Sequence, residues 1–184
     1  MDGSGEWLYD EEKIMDHIQQ GFSKLYSSEM CMARMDSPIA NFSCCFLSEE
    51  EGGWMGRVVD EEEIKAVLWS LKPIKAPGPD GLHAGFFQYF WRDVQVLVYH
   101  EVNKAFSLGV VPEFLNTTLI TLIPKCNNPE SLANYRPISL CNSMYKVITK
   151  VLVARIRPLL NKLISPIQIA FVPGRRGVDN VLIA

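Results

Sequence analysis

Acid is nearly missing from the last third of this 184-residue chain. Residues 124–184 hold nine Lys or Arg but only Glu130 and Asp179. Phosphoryl or nucleotidyl transfer through two metal ions needs two or three converging carboxylates. Neither acid here stands in an F-x-x-x-D or Y-x-D-D setting, so no catalytic residue is assigned to this region. The familiar phosphate loops are also missing: there is no G-x-x-x-x-G-K-S/T and no G-x-G-x-x-G. No G-x-S-x-G, no H-E-x-x-H and no ordered Ser/His/Asp set occurs, which removes the common nucleophile schemes.

Metal-binding patterns are equally scarce. The five cysteines (Cys31, Cys44, Cys45, Cys126, Cys141) form no C-x-x-C pair, and His17, His83 and His100 lack ligand spacing. No metal site is therefore expected. An odd cysteine count without a secretion signal points to reduced thiols in an intracellular protein, of nucleus or cytoplasm. No apolar run reaches the roughly 18 residues of a membrane-crossing helix, so no membrane partner is expected. There is no internal repeat and no low-complexity stretch.

What the chain does have is charge asymmetry. Residues 1–63 carry 4 basic and 15 acidic side chains, and residues 64–184 carry 14 and 6. A net of -11 followed by +8 fits an acidic leader ahead of a part that meets polyanions. Hydrophobic content of 48% with 21% charge is that of a globular protein large enough for a core.

The pattern predicts an α+β fold, mostly helical with one short antiparallel β-hairpin. Ile14, Ile18, Phe22 and Leu25 recur at helical spacing over 11–29, with Asp10 as a possible cap. Residues 30–56 show no clear period and read as a linker or loose loop. Asp60, then Glu61 to Glu63, open a second helix whose stripe is Ile64, Val67, Leu68 and Leu71, stopped at Pro73. The loop Lys75 to Gly81 contains two prolines and two glycines. One helix over roughly 85–107 follows, rich in aromatics at core spacing and ended by Gly109. Thr117 to Ile123 and Tyr135 to Leu140 read as paired strands, turning at Asn127 to Pro129. A helix over about 142–163 comes next. Met144, Ile148, Val151, Leu152, Ile156, Leu159 and Leu163 form its apolar stripe, with Pro158 as a possible kink. Lys146, Lys150 and Arg157 gather on its other face, as a basic binding face or simply a solvated one. Ser165 to Gln168 has the form of a capping box before a short helix ending at Pro173-Gly174, and Asp179 or Asn180 opens another.

Phosphate binding is the function these residues support best. Lysine supplies a point charge and arginine a planar fork for phosphate oxygens. Lys125 ends one strand and Arg136 begins the next, so both should project near one hairpin tip. Arg175 and Arg176 stand between Gly174 and Gly177, where a backbone can come close.

These segments also carry a resemblance. Lys75 to Gly81 with Phe86, Phe87 and Trp91 resembles the extra N-terminal block of non-LTR and group II intron reverse transcriptases. Asn116 to Lys125 through Tyr135 to Asn142, continued by Tyr145 to Leu152 and Arg155-Ile156, resembles the first conserved block. Ser165 to Arg175 with Asp179-Asn180 resembles the second. Three blocks in order make residues 58–184 similar to the fingers of a LINE-type (non-LTR) retrotransposon reverse transcriptase. Residues 1–57 resemble the connector upstream, partly flexible and with one amphipathic helix.

The resemblance implies a partial fingers subdomain lacking palm and thumb. It implies incoming-nucleotide triphosphate contacts at Lys125, Arg136 and Arg175. It implies template contacts at Lys75, Gly78, Asp80, Gln168, Phe171, Gly174 and Arg176. Which of Arg175 and Arg176 takes the family role stays open. The implied partners are an RNA template, a DNA primer and a deoxynucleotide in the complete enzyme, with weak nucleic-acid binding by the chain alone. The missing palm is the natural packing partner. Magnesium is expected only with the complete polymerase, and no cofactor in this chain. The chain stops at Ala184 with a helix just begun, so the expectation is a fragment inactive alone. The other readings are a non-catalytic RNA-binding module or a non-functional remnant.

Overall fold

The computed structural model describes residues 5–27, 46–165, 168 and 170–175. Cys31, Cys44, Cys45 and Arg176 lie outside these, as do Pro166 and Ile167 of the expected capping box and the helix expected from Asp179 or Asn180. The architecture is mostly helical with one two-stranded antiparallel hairpin, as an α+β chain should be. It divides into two compact units, Met1–Phe42 with Ile120–Ser139, and Ser43–Leu119 with Leu140–Ala184.

In the first unit, α1 spans Glu11–Tyr26. Asp10 Oδ1 caps it, accepting from the N–H groups of Glu12 and Lys13 at 3.0 and 3.2 Å. Its stripe is shallow: Ile14, Ile18 and Phe22 are half-buried, and Leu25 is exposed. The strands β1 (Thr118–Pro124) and β2 (Tyr135–Cys141) form the hairpin, whose far part belongs to this unit. A 3-10 turn at Leu132–Asn134 sits in the connection between them, so the loop is longer than a turn at 127–129.

The second unit begins, among the described residues, with a helix where a loop was expected. α2 (Glu49–Gly56) runs through Gly52 and Gly53. Two glycines cost such a helix roughly 1 kcal/mol each. A capping box offsets part of that: Ser48 Oγ accepts from Glu51 N–H, and Glu51 accepts from Ser48 N–H. Glu51 also pairs with Lys162. That hydrogen bond, and then the one from Ser48 N–H, lower its pKa below the ordinary 4.5.

α3 spans Glu61–Trp69 and starts on Asp60, whose Oδ1 accepts from Glu63 N–H at 2.7 Å. Ile64, Val67 and Leu68 face the core as their spacing predicts. The expected helix over 85–107 is two helices, α4 (Ala84–Tyr89) and α5 (Trp91–Leu108), broken at Phe90. No proline or glycine marks that break. It lets α4 pack on α3 while α5 packs on both α3 and α7. Gly109 closes α5 at φ 64°, a left-handed conformation that suits glycine.

After the short α6 (Glu113–Asn116) and the hairpin, α7 spans Ser143–Ile156. The residue before Pro158 marks its end. Arg157–Leu159 tighten into a 3-10 turn, and α8 (Leu160–Leu163) follows. The buried face of α7 is Met144, Val147, Ile148, Val151 and Arg155, whereas Leu152 points outward. Val59, Ile64, Leu68, Val102, Val147, Ile148 and Val151 are 2% exposed or less, each contributing about 1.5–3 kcal/mol of burial.

Arg155 sits in the apolar stripe of α7, with its side chain 1% exposed. Its guanidinium meets Glu63 of α3 and donates to the carbonyls of Met55 and Arg57 at 2.9 and 2.7 Å. It also lies 5.3 Å from the centre of the Phe106 ring. The Glu63 hydrogen bonds raise its pKa against the opposing effect of burial. Among the described residues, no helix is long and apolar enough to cross a membrane.

Candidate nucleic-acid interface

Lys125 N–H donates to the Asn134 carbonyl at 2.7 Å just past the strand ends. Lys125 follows the last residue of β1 and Arg136 is the second residue of β2, so both stand at the loop end of the hairpin. Lys125 Nζ donates to the Ala133 carbonyl at 2.7 Å, holding its charge along the base of the loop. Arg136 is exposed, and among the described residues its side chain has no hydrogen bond or ion pair. Asn134 shapes the loop from within. Its Oδ1 accepts from the N–H groups of Glu130 and Ser131 and from Ser131 Oγ, at 3.3, 3.0 and 2.9 Å.

In the second unit, the loop from Lys75 to Gly81 is locked to the start of α7. Gly78 is buried, and a Cβ there would strike the backbone of Cys141 and Asn142. Asn142 is 2% exposed. Its Oδ1 accepts from Asp80 N–H at 3.2 Å, and its Nδ2 donates to the Phe114 and Leu115 carbonyls at 3.0 and 3.2 Å. Ser143 Oγ donates to the Leu82 carbonyl at 2.8 Å. Asp80 Oδ1 accepts from Leu82 N–H at 3.0 Å, a local turn that occupies one carboxylate oxygen. Gly78 and Asp80 thus fix the loop, and Lys75 remains exposed on it.

Lys75 lines a cleft of about 440 Å³ together with Lys72, Lys146 and Lys150. The two α7 lysines stand one turn apart on the face opposite Val147, Ile148 and Val151. Lys150 Nζ lies 3.0 Å from Ser70 Oγ at the end of α3. Among the described residues, no acidic side chain and no aromatic ring lines this cleft. Arg157 does not share it. At the start of the 3-10 turn it lines a separate groove of about 400 Å³ with Val153, Ile156, Leu160, Phe171 and Pro173.

The loop at 170–175 forms turns rather than the end of a helix. Phe171 is fully exposed at φ 66°, a conformation bulky residues rarely adopt. Gly174 holds φ 83° at no steric cost. Gln168 is exposed, and its Nε2 donates to the Ala170 carbonyl at 3.3 Å. Arg175 binds the chain itself: its guanidinium donates to the carbonyls of Ser165, Gln168 and Ile164. These donors tie together carbonyls of the segment that follows α8.

Among the described residues, no group of three or more His, Cys, Asp or Glu is placed to hold a metal ion. The residues that sequence reasoning passed over are Lys72, Asn134, Asn142 and Arg155. Lys72 was visible as the near neighbour of Lys75 across Pro73. The two asparagines act through tertiary hydrogen bonds that spacing does not show.

No protein-family model matches the chain. Over 186 aligned positions, 97% of its length, it is 29% identical to the "Transposon TX1 uncharacterized 149 kDa protein" of Xenopus laevis. The match spans 14% of that relative's length.

Proposed function

We propose that this chain derives from a non-LTR, LINE-type retrotransposon and represents the fingers of its reverse transcriptase with part of the upstream connector. The observation that carries the proposal is similarity along 97% of the chain to a transposon protein. The α+β fold supports it, since the hairpin lies between helices in the order that the resemblance implies. In the complete enzyme, Arg136 and Lys125 contact the triphosphate of the incoming nucleotide from the loop end of the hairpin. Lys75, Gln168, Phe171 and Gly174 face the template. Arg175 contributes by shaping the loop that presents the last three, because its donors are engaged with carbonyls. The palm supplies the carboxylates and magnesium, and the chain alone joins no nucleotides.

The test is primer extension by the purified chain on an RNA template with an annealed DNA primer, all four deoxynucleotides and magnesium. The expected result is no extension above buffer. Template-dependent incorporation by the chain alone would contradict the proposal.

A further inference from the structure

We propose that the four-lysine cleft between α7 and the segment after α3 docks the phosphodiester backbone of a nucleic-acid strand. The choice of polyanion rests on the functional reading above. Lys72, Lys75, Lys146 and Lys150 converge from two separate parts of the sequence on one cavity of about 440 Å³. Among the described residues, no carboxylate lines it to neutralise them. Gathering like charges raises the local potential, and a bound polyanion relieves that repulsion.

The lysines stand on rigid supports. Lys146 and Lys150 are about 6 Å apart along the α7 axis, and the opposite face of that helix is core. On the other wall, the Pro73 carbonyl accepts from Gly85 N–H at 3.0 Å. Gln88 Nε2 donates to the Leu68 and Leu71 carbonyls at 2.9 and 3.0 Å, which fixes the chain just ahead of Lys72. Ser70 and Thr149 also line the cleft, and the Ser70 hydroxyl lies beside the Lys150 ammonium.

The lining also selects the ligand. Without an aromatic ring among the described residues that line it, the cleft offers no platform on which to stack a base. Its donors are flexible ammonium groups, which hold phosphates without reading sequence. A strand that presents successive phosphates uses all four lysines, whereas a single nucleotide offers one compact charge and no partner for its base.

The test is equilibrium binding of fluorescent 20-nucleotide single strands of RNA and of DNA across a salt series. Four phosphate contacts on a single strand predict that log K falls by about 2.8 per tenfold rise in salt. K146Q/K150Q and, independently, K72Q/K75Q should each flatten that slope by about 1.4. Their thermal transitions should be unchanged, and K13Q/K104Q should keep the wild-type slope. The loss should be equal for RNA and DNA.

Wild-type slopes in both cleft pairs would overturn the site, and Lys75 as a template contact with it, while leaving the triphosphate contacts of the hairpin and the transposon similarity untouched. A loss confined to RNA would overturn a contact made to phosphates alone. No strand binding even at about 20 mM salt, where phosphate contacts are strongest, would also overturn it. Competition by free nucleoside triphosphate at the same lysines, without strand binding, would do the same. Extension by the pure chain, by contrast, would count against the functional reading and leave the cleft untouched.

Discussion

Arg155 donates through Nε and Nη2 to the two carboxylate oxygens of Glu63, at 2.9 and 2.8 Å, across 92 residues of sequence. This fork joins α7 to α3, and the same guanidinium holds the carbonyls of Met55 and Arg57. Removing one partner leaves a buried charge and open carbonyls, so Arg155→Ala should cost about 3–5 kcal/mol. Arg155→Lys cannot restore the fork and should recover little. Arg57 is half-exposed and 3.6 Å from Asp60 and Glu63, so Arg57→Ala should cost about 1 kcal/mol or less. Urea unfolding of the three variants checks this ranking, and equal losses would contradict it.

Gly78 and Gly52 should respond in opposite directions. A Cβ at Gly78 meets the backbone of Cys141 and Asn142, which cannot retreat as a side-chain tip could. Gly78→Ala should therefore destabilise the second unit, by roughly 1–3 kcal/mol. At Gly52 and Gly53 of α2 nothing lies within 4 Å of an added Cβ. Each Gly→Ala there should stabilise by about 0.5–1 kcal/mol. Thermal unfolding midpoints read both effects.

The Glu51–Lys162 pair should make the α2 contact sensitive to acid. Glu51 has its pKa lowered in the folded chain, first by the Lys162 hydrogen bond. A depressed carboxylate contributes stability that is present above its ordinary value of 4.5 and is lost as pH falls through the folded value. An NMR titration of the Glu51 carboxyl should give a midpoint below 4.5. Lys162→Gln should bring that midpoint back up, and an unchanged midpoint would remove Lys162 as the cause.

Arg175→Ala should loosen its own loop even without nucleic acid. Its guanidinium ties the carbonyls of Ser165, Gln168 and Ile164 together. Amide hydrogen exchange over 168–175 should speed up at least tenfold, corresponding to the loss of about 1.4 kcal/mol of local protection. Exchange unchanged from wild type would mean that Arg175 has no structural duty there.

Much of the element order could be read from the sequence because local chemistry sets it. Asp10 and Asp60 cap their helices, and β-branched residues form β1, whereas the single helix expected over 142–163 ends as α7 at Ile156, ahead of Pro158. Three features resisted reading. The break at Phe90 has no glycine or proline to mark it. α2 crosses two glycines, and only the Ser48–Glu51 box and the Lys162 contact explain it. The apolar stripe of α7 contains Arg155, and its partner Glu63 is too far along the chain for periodicity to pair them. The candidate site divides in the same way. Lys146 and Lys150 share a helix face by spacing alone, whereas their meeting with Lys72 and Lys75 depends on how α3 packs against α7.

Binding of an RNA–DNA template-primer to the purified chain, followed by anisotropy across a salt series, tests the central claim most directly. The account predicts binding that weakens linearly in log salt, with a slope that is kept when Lys125 and Arg136, which meet the triphosphate rather than the strands, are both replaced by Gln. Absence of binding at low salt, or a slope that falls with that double substitution, would contradict it.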